Sequence, residues 1–166
     1  RFFEAYQKFY RDIQGHAVLE RIHENHQTIV ETLKESARNV TVLQACVAFL
    51  AVLTAPQLFQ WAGVSMFQIG MFRIGVLGAF CHVLLLFLTI VLSYFDLRRK
   101  MLYVSCVFLV TNAVFTYITA KMGFAYYGYG YFLSCLVTLL YAYALTAREV
   151  LRLPYLSFVL SNASVR

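Results

Sequence analysis

The chain has 166 residues, of which 61% are hydrophobic and 13% are charged, and its formal net charge is +6. Soluble domains are typically about 45–50% apolar and about 25% charged, and a soluble fold of this length could not bury so much apolar surface. The composition therefore excludes a soluble domain and indicates segments that lie in lipid. The cations lie mostly between apolar blocks, as expected for loops beside a membrane, so nucleic-acid binding is not indicated.

Residues 1–38 form the most polar part of the chain, with six Lys or Arg and six Asp or Glu residues. Their apolar side chains, which begin with Phe2, Tyr6 and Phe9, recur at helical spacing. This pattern predicts a cytoplasmic amphipathic helix that leads into the membrane and could break near Gly15. Because the chain opens on Arg1 and shows no signal peptide, we expect it to be a segment of a longer protein.

Four apolar blocks follow, at about 39–60, 74–95, 101–120 and 129–147. Three of them reach the ~20 residues that a helix needs to cross a ~30 Å hydrocarbon core. The first is long enough only if its helix continues beyond Pro56. The predicted fold class is all-α: a polytopic membrane protein with four transmembrane helices in a bundle over 39–147, and a tail over 148–166.

The distribution of cations predicts the orientation of the four helices. Residues 1–38, the 96–100 loop and the 148–166 tail carry most of the Lys and Arg, whereas 56–72 carries none and 121–128 carries one. The positive-inside rule then places both ends of the chain in the cytoplasm. Aromatic residues cluster at the other two connections, where an aromatic belt at the membrane surface is expected.

Five residues are candidates either for lining a pathway or for packing the bundle: Arg73, His82, Asn112, Tyr127 and Tyr129. His82 lies deep in the second block, so it is either a proton or substrate contact or a neutral histidine bonded to another helix. Arg73 lies near the outer boundary, where it would anchor the helix or bind an anionic ligand. Asn112 belongs to a stripe of small and polar residues, which in membrane helices is typical of helix packing.

Tyr127 and Tyr129 flank Gly128 in a sequence that resembles a potassium-channel filter only weakly. The Thr-Val of that filter is absent, and no pore helix precedes the segment. The tyrosines are therefore interpreted as belt residues, with stacking on a sugar chain as the alternative.

The sequence contains no catalytic constellation. The four cysteines fall one in each apolar block, without metal-ligand spacing. His23 and His26, with Glu20 one turn earlier, lack the spacing of zinc proteases and are expected to form a solvated helix face. We therefore predict no catalytic residue, no cofactor and no metal site, and a protein that is not an enzyme.

Several segments together resemble one known family, the PelG transporters, which are usually placed near the flippases of the multidrug and polysaccharide superfamily. The resembling segments are residues 1–3, 9–13, 94–99 (Tyr-Phe-Asp-Leu-Arg-Arg), 112–116, 124–131 (Phe-Ala-Tyr-Tyr-Gly-Tyr-Gly-Tyr) and 153–158. The resemblance implies the C-terminal part of a bacterial inner-membrane subunit that exports the Pel exopolysaccharide, a cationic, hexosamine-rich polymer of the biofilm matrix. The implied partners are membrane lipid, other Pel inner-membrane subunits, a cytoplasmic glycosyltransferase, a cyclic-di-GMP receptor subunit and the polysaccharide.

Two alternatives to export remain open at this point. One is a membrane scaffold without transport activity, which would dock and activate the glycosyltransferase through residues 1–38 and the 96–100 loop. The other is a transporter of lipids or small molecules with the same number of helices.

Overall fold

The computed structural model describes the backbone of residues 19–161 and the side chains of residues 27–151, Met66 excepted. Four long helices make up most of this part of the chain: α1 (Leu19–Trp61), α2 (Ile69–Tyr94), α3 (Arg98–Met122) and α4 (Tyr129–Ser161). Short 3₁₀ helices, Met66–Gln68 and Phe124–Tyr126, lie in two of the connections. No strand occurs among the described residues, which confirms the predicted all-α fold class.

Each of the four helices is long and apolar enough to cross a membrane. The segments that meet this test are Gln27–Trp61, Ile69–Tyr94, Arg98–Met122 and Phe124–Leu151. Even α3, with 25 residues, is about 38 Å long at the usual rise of about 1.5 Å per residue. That length exceeds a ~30 Å hydrocarbon core. The prediction of four helices able to span a membrane is therefore confirmed.

The chain divides into two compact units. One unit is Val40–Ala144, called here the membrane unit, and the other joins Arg1–Asn39 with Leu145–Arg166. In the second unit, the side chains of Ile29, Thr146, Glu149 and Val150 are buried. The division of the sequence at residues 38 and 147 stays a prediction.

Helix α1 joins the predicted lead-in and the first span without a break. It runs from Leu19 to Trp61, so the part of the amphipathic segment from residue 19 onward is helical. Residues 1–18, which include Gly15, lie outside the described residues. Pro56 lies inside α1 and does not end it. Proline removes one hydrogen bond of the helix. Ending the helix inside lipid would leave more backbone groups unpaired, so continuing through Pro56 costs less.

A tight turn connects α2 to α3. Asp96 has a positive φ of 52°, and the Leu97 amide donates to the Leu92 carbonyl at 3.1 Å. A backbone hydrogen bond that spans five residues, next to a residue in the left-handed conformation, is typical of a Schellman motif. This motif satisfies the last carbonyls of a helix. Arg98 Nε also donates to Asp96 Oδ1 at 2.7 Å, although such an exposed ion pair contributes only about 0–1 kcal/mol. The turn makes α2 and α3 sequential neighbours in the membrane unit.

The start of α4 lies against the backbone of α3. A Cβ atom at Gly130 would lie 2.6 Å from the Thr116 Cα and 2.8 Å from the Phe115 carbonyl carbon. Real Cβ atoms do not approach backbone so closely, and here the neighbouring atoms cannot rotate away as the end of a side chain can. Glycine at this position therefore permits the close helix contact that is common in membrane bundles.

We expect Gly130→Ala to destabilise the membrane unit by about 1–3 kcal/mol, the usual cost of overpacking. Gly75→Ala is the matched control, because nothing lies within 4 Å of a Cβ placed there. The control should be neutral or slightly stabilising, since alanine favours a helix over glycine by about 1 kcal/mol. Thermal unfolding of the purified proteins in detergent measures both. Equal midpoints for the two variants would contradict the close contact.

Candidate functional site

Helix α2 presents one face to the interior of the membrane unit. Gly78, Cys81 and Leu85 are buried on this face, and their spacing of three and four residues is that of a single helix stripe. His82 is half-buried beside them. A Cβ at Gly78 would lie 2.6 Å from Tyr131 Cδ1, so glycine at 78 gives the tyrosine ring of α4 room to approach.

His82 contacts side chains of both α3 and α4. Its ring centroid lies 5.2 Å from that of Phe108 and 6.1 Å from that of Tyr131. Its Nδ1 lies 3.8 Å from the sulfur of Cys135, a weak hydrogen-bonding partner that is itself fully buried. The imidazole is therefore held between two aromatic rings, and its polar contact is with a neighbouring helix.

Asn112 connects α3 to α4 through its side-chain oxygen. That oxygen accepts from Thr116 Oγ1 at 3.2 Å and from Ser134 Oγ at 3.4 Å. Ser134 is fully buried, and its hydroxyl also lies 2.8 Å from the Tyr131 carbonyl oxygen. The amide and the two hydroxyls thus form a small network within the helix pair.

A second polar contact joins the same two helices. The hydroxyl oxygens of Thr111 and Thr138 lie 3.4 Å apart, and Thr111 also donates to the Val107 carbonyl at 2.8 Å. Thr138 is fully buried. Together with the residues above, these side chains define what we call the polar seam. The seam consists of His82, Thr111, Asn112, Ser134, Cys135 and Thr138.

The polar seam has the chemistry of helix association. Its groups are hydroxyls, an amide, a thiol and an imidazole, and each has a partner across or along a helix. Such bonds in membrane proteins contribute about 0.6 kcal/mol each on average. Among the residues that the structure describes, no three His, Cys, Asp or Glu side chains lie close enough together to hold a metal ion.

The structure separates the five predicted candidates into three places. His82 and Asn112 lie in the polar seam. Arg73 is exposed and has no ion-pair partner among the described residues. Tyr127 lies in the connection between α3 and α4, and Tyr129 begins α4; their rings contact those of Phe124 and Tyr126, respectively. The roles of all five stay predictions.

Sequence reasoning missed several residues that the structure brings into play. Tyr131 and Cys135 contact His82, yet neither was among the five candidates. Their spacing of four residues on one face of α4 was the available signal. Glu149 is also buried, in the second unit. It was missed because the predicted span ended at residue 147.

The contact between Asn112 and Ser134 should appear as a coupling energy in a double-mutant cycle. We expect Asn112→Ala and Ser134→Ala to be non-additive by about 0.6 kcal/mol, with about 1.7 kcal/mol as the upper bound known for such bonds. Reversible unfolding in mixed detergent micelles gives the four stabilities. Ser105→Ala with Ser134→Ala is the control pair, because Ser105 has no hydrogen bond to another described residue. Coupling as large in the control pair would contradict the assignment.

Comparison with known proteins adds one match. The chain matches the family model PelG, described as "Putative exopolysaccharide Exporter (EPS-E)", over residues 1–158. This range includes all four segments that are able to span a membrane. No curated protein and no solved structure matches the chain.

Proposed function

This chain belongs to the PelG family of exopolysaccharide exporters, and from that premise we propose that its helices form part of the export route for the Pel polysaccharide of the biofilm matrix. The observation that carries the proposal is the extent of the match. It spans residues 1–158 and so covers the polar lead-in, every apolar helix and the connections between them. A match confined to one helix would have supported only a generic membrane segment.

We place this multi-pass protein in the bacterial inner membrane with both ends of the chain in the cytoplasm. The support is the charge of the connections. The turn between α2 and α3 is followed by Arg98, Arg99 and Lys100, whereas 56–72 carries no charged residue. Cations beside short membrane loops favour the cytoplasmic side. On this orientation the connections around Trp61 and Phe124 face outward.

The polar seam is better suited to holding helices together than to guiding a polymer. Ser134, Cys135 and Thr138 are fully buried, so a passing sugar would have to separate α4 from its neighbours to reach them. We therefore assign the seam to the rigidity of the bundle. Under this assignment His82 acts by packing against α3 and α4 and does not contact the polymer.

A second polar surface lies along the edge of α3. Ser105 and Thr116 are exposed, and their spacing of eleven residues, about three helical turns, places them on one face of the helix. Exposed hydroxyls are poorly matched to lipid tails but well matched to water or sugar. We assign this polar edge of α3 to the wall of the pathway, which other helices of the exporter would complete.

The partners of the exporter follow from the same proposal. A polymer that emerges from a cytoplasmic glycosyltransferase must pass directly to the export route, so we propose contacts with that enzyme and with a cyclic-di-GMP receptor subunit. The chemistry available for such contacts is the charged segment 1–38 and the basic 98–100 turn.

The direct test of function is export by cells that carry or lack the chain. Deletion of the chain should leave polymer in the cytoplasm or stop its synthesis, and the intact protein should restore polymer outside the cell. Purified exporter in vesicles should then move labelled polysaccharide into the lumen. If vesicles show no movement while the glycosyltransferase still requires residues 1–38, the scaffold alternative is correct. Equal movement of unrelated lipids would favour the general transporter.

We expect His82→Gln to export normally, because glutamine keeps a polar group facing Cys135 and the polar seam does not contact the polymer. His82→Ala should lower the free energy of unfolding by about 1–3 kcal/mol, since it removes a side chain packed between two rings. Export rate and thermal unfolding are measured side by side. Loss of export in a His82→Gln protein of unchanged stability would assign proton transfer to His82.

We expect Ser105→Leu to reduce the export rate about fivefold, the factor that corresponds to one lost hydrogen bond of about 1 kcal/mol. Cys106→Leu is the matched control, because Cys106 is the next residue, is also exposed and lies about 100° further around the helix, away from the polar edge of α3. The control should export like the parent protein. Equal effects of the two substitutions would show that the polar edge does not line the pathway.

A further inference from the structure

The connection between α3 and α4 is a dense group of exposed aromatic rings. We call residues 123–131, which are the connection and the first three residues of α4, the aromatic connection. Phe124, Tyr126, Tyr127 and Tyr129 in this segment are 51%, 44%, 41% and 39% exposed. Four large aromatic rings are thus accessible within six residues of sequence. They form a surface suited to a ligand that has a flat and partly apolar face.

The rings of the aromatic connection are arranged as two pairs. Phe124 and Tyr127 have ring centroids 5.5 Å apart, and Tyr126 and Tyr129 have centroids 6.2 Å apart. The hydroxyls of the three tyrosines have no hydrogen-bond partner among the described residues. The surface therefore offers ring faces and three free hydroxyls side by side.

The backbone holds these rings in place before any ligand arrives. Gly123 and Gly128 adopt positive φ values of 106° and 92°, which favour glycine because it lacks a Cβ. Gly128 lies against α2, where a Cβ would be 3.3 Å from the Met71 carbonyl oxygen. Gly130 packs on the backbone of α3 at Thr116. A surface anchored to two helices loses little conformational entropy when it binds a ligand.

The charge around the aromatic connection is weakly positive. Residues 97–148 contain no Asp or Glu. The ammonium of Lys121 lies 4.4 Å from the centroid of the Tyr117 ring, next to the connection in sequence. A polycation would be repelled there and would find no carboxylate to neutralise it. An uncharged ligand meets no such penalty.

We propose that the aromatic connection is a binding surface for uncharged pyranose units of the exported polysaccharide. The apolar face of a pyranose ring stacks on an aromatic ring, while its hydroxyls exchange hydrogen bonds with tyrosine. This inference rests on the proposed export function and names the kind of sugar that the protein contacts. Under this proposal the aromatic connection binds stretches of the polymer that carry no free amine.

Ordinary belt residues provide the internal comparison for this proposal. Trp61 ends α1 and Phe67 lies in the connection to α2; they are 90% and 89% exposed. In the described part of the chain they have no ring partner, and phenylalanine has no polar group to offer a sugar. These two rings fit an aromatic belt at the membrane surface. They are the control for a general loss of aromatic surface.

The test measures sugar binding to the full chain in lipid nanodiscs by titration calorimetry. The probe is the neutral hexamer of N-acetylglucosamine, and the comparison probe is its deacetylated, cationic form. The binding variants replace Tyr126, Tyr127 and Tyr129 together, by leucine in one protein and by phenylalanine in the other. Phe67→Leu is the matched control.

The parent protein should bind the neutral hexamer saturably. It should bind the cationic form at least about threefold more weakly. The leucine variant should lose at least about tenfold in affinity, because leucine removes the aromatic faces on which the sugar stacks. The phenylalanine variant should lose only about threefold, because it keeps the rings and loses the hydroxyls. Phe67→Leu should bind like the parent.

Three outcomes would overturn the proposal. They are unchanged binding in the leucine variant, equal loss in Phe67→Leu, and tighter binding of the cationic hexamer than of the neutral one. Lower thermal stability of the leucine variant with unchanged sugar affinity would assign the tyrosines to the membrane belt. Failure of the export function is recognised separately, because the parent protein would then move no polymer in vesicles whether or not it bound the hexamer.

Discussion

The hydrocarbon of the membrane is the constraint on which the rest of this structure depends. Lipid offers no hydrogen bonds, so each backbone group in the spans must find its partner inside the chain. The long helices meet that requirement, and α1 continues through Pro56 to Trp61 under the same demand. The Schellman turn at Asp96 meets it at the end of a span, since the Leu97 amide bonds to a carbonyl of the preceding helix.

The same constraint decides where polar side chains lie. Within the membrane unit, Asn112 and Ser134 pair with each other, hydroxyls such as that of Thr119 donate to helix carbonyls, and Ser105 is exposed on the edge of α3. The paired groups strengthen the bundle, and the exposed ones need a polar neighbour that lipid does not supply. This division assigns rigidity to the polar seam and contact with water or sugar to the edge of α3. The tyrosines of the aromatic connection provide a third and different surface.

Much of the fold could be predicted from the sequence because composition and length alone determine which segments suit lipid. The four spans and the helical fold class follow from that. The helix contacts did not, because a stripe of small residues does not say which helix it meets. Gly130 lets α4 touch the backbone of Thr116, and nothing in the sequence names α3 as the helix that it meets. The pairing of His82 with Cys135 needed the relative rotation of α2 and α4, which no periodicity contains.

The central claim is a bundle of four membrane-spanning helices, with both ends of the chain in the cytoplasm and the aromatic connection on the outer side. The most direct measurement is labelling of single cysteines by a membrane-impermeant maleimide in intact cells, after the natural cysteines are replaced by alanine. Ser65→Cys and Ala125→Cys lie in the two connections without carboxylates and are exposed, and Arg99→Cys lies in the basic turn. The account predicts labelling at positions 65 and 125 from outside, and at position 99 only after the membrane is permeabilised. Labelling of position 99 in intact cells, with positions 65 and 125 protected, would contradict it.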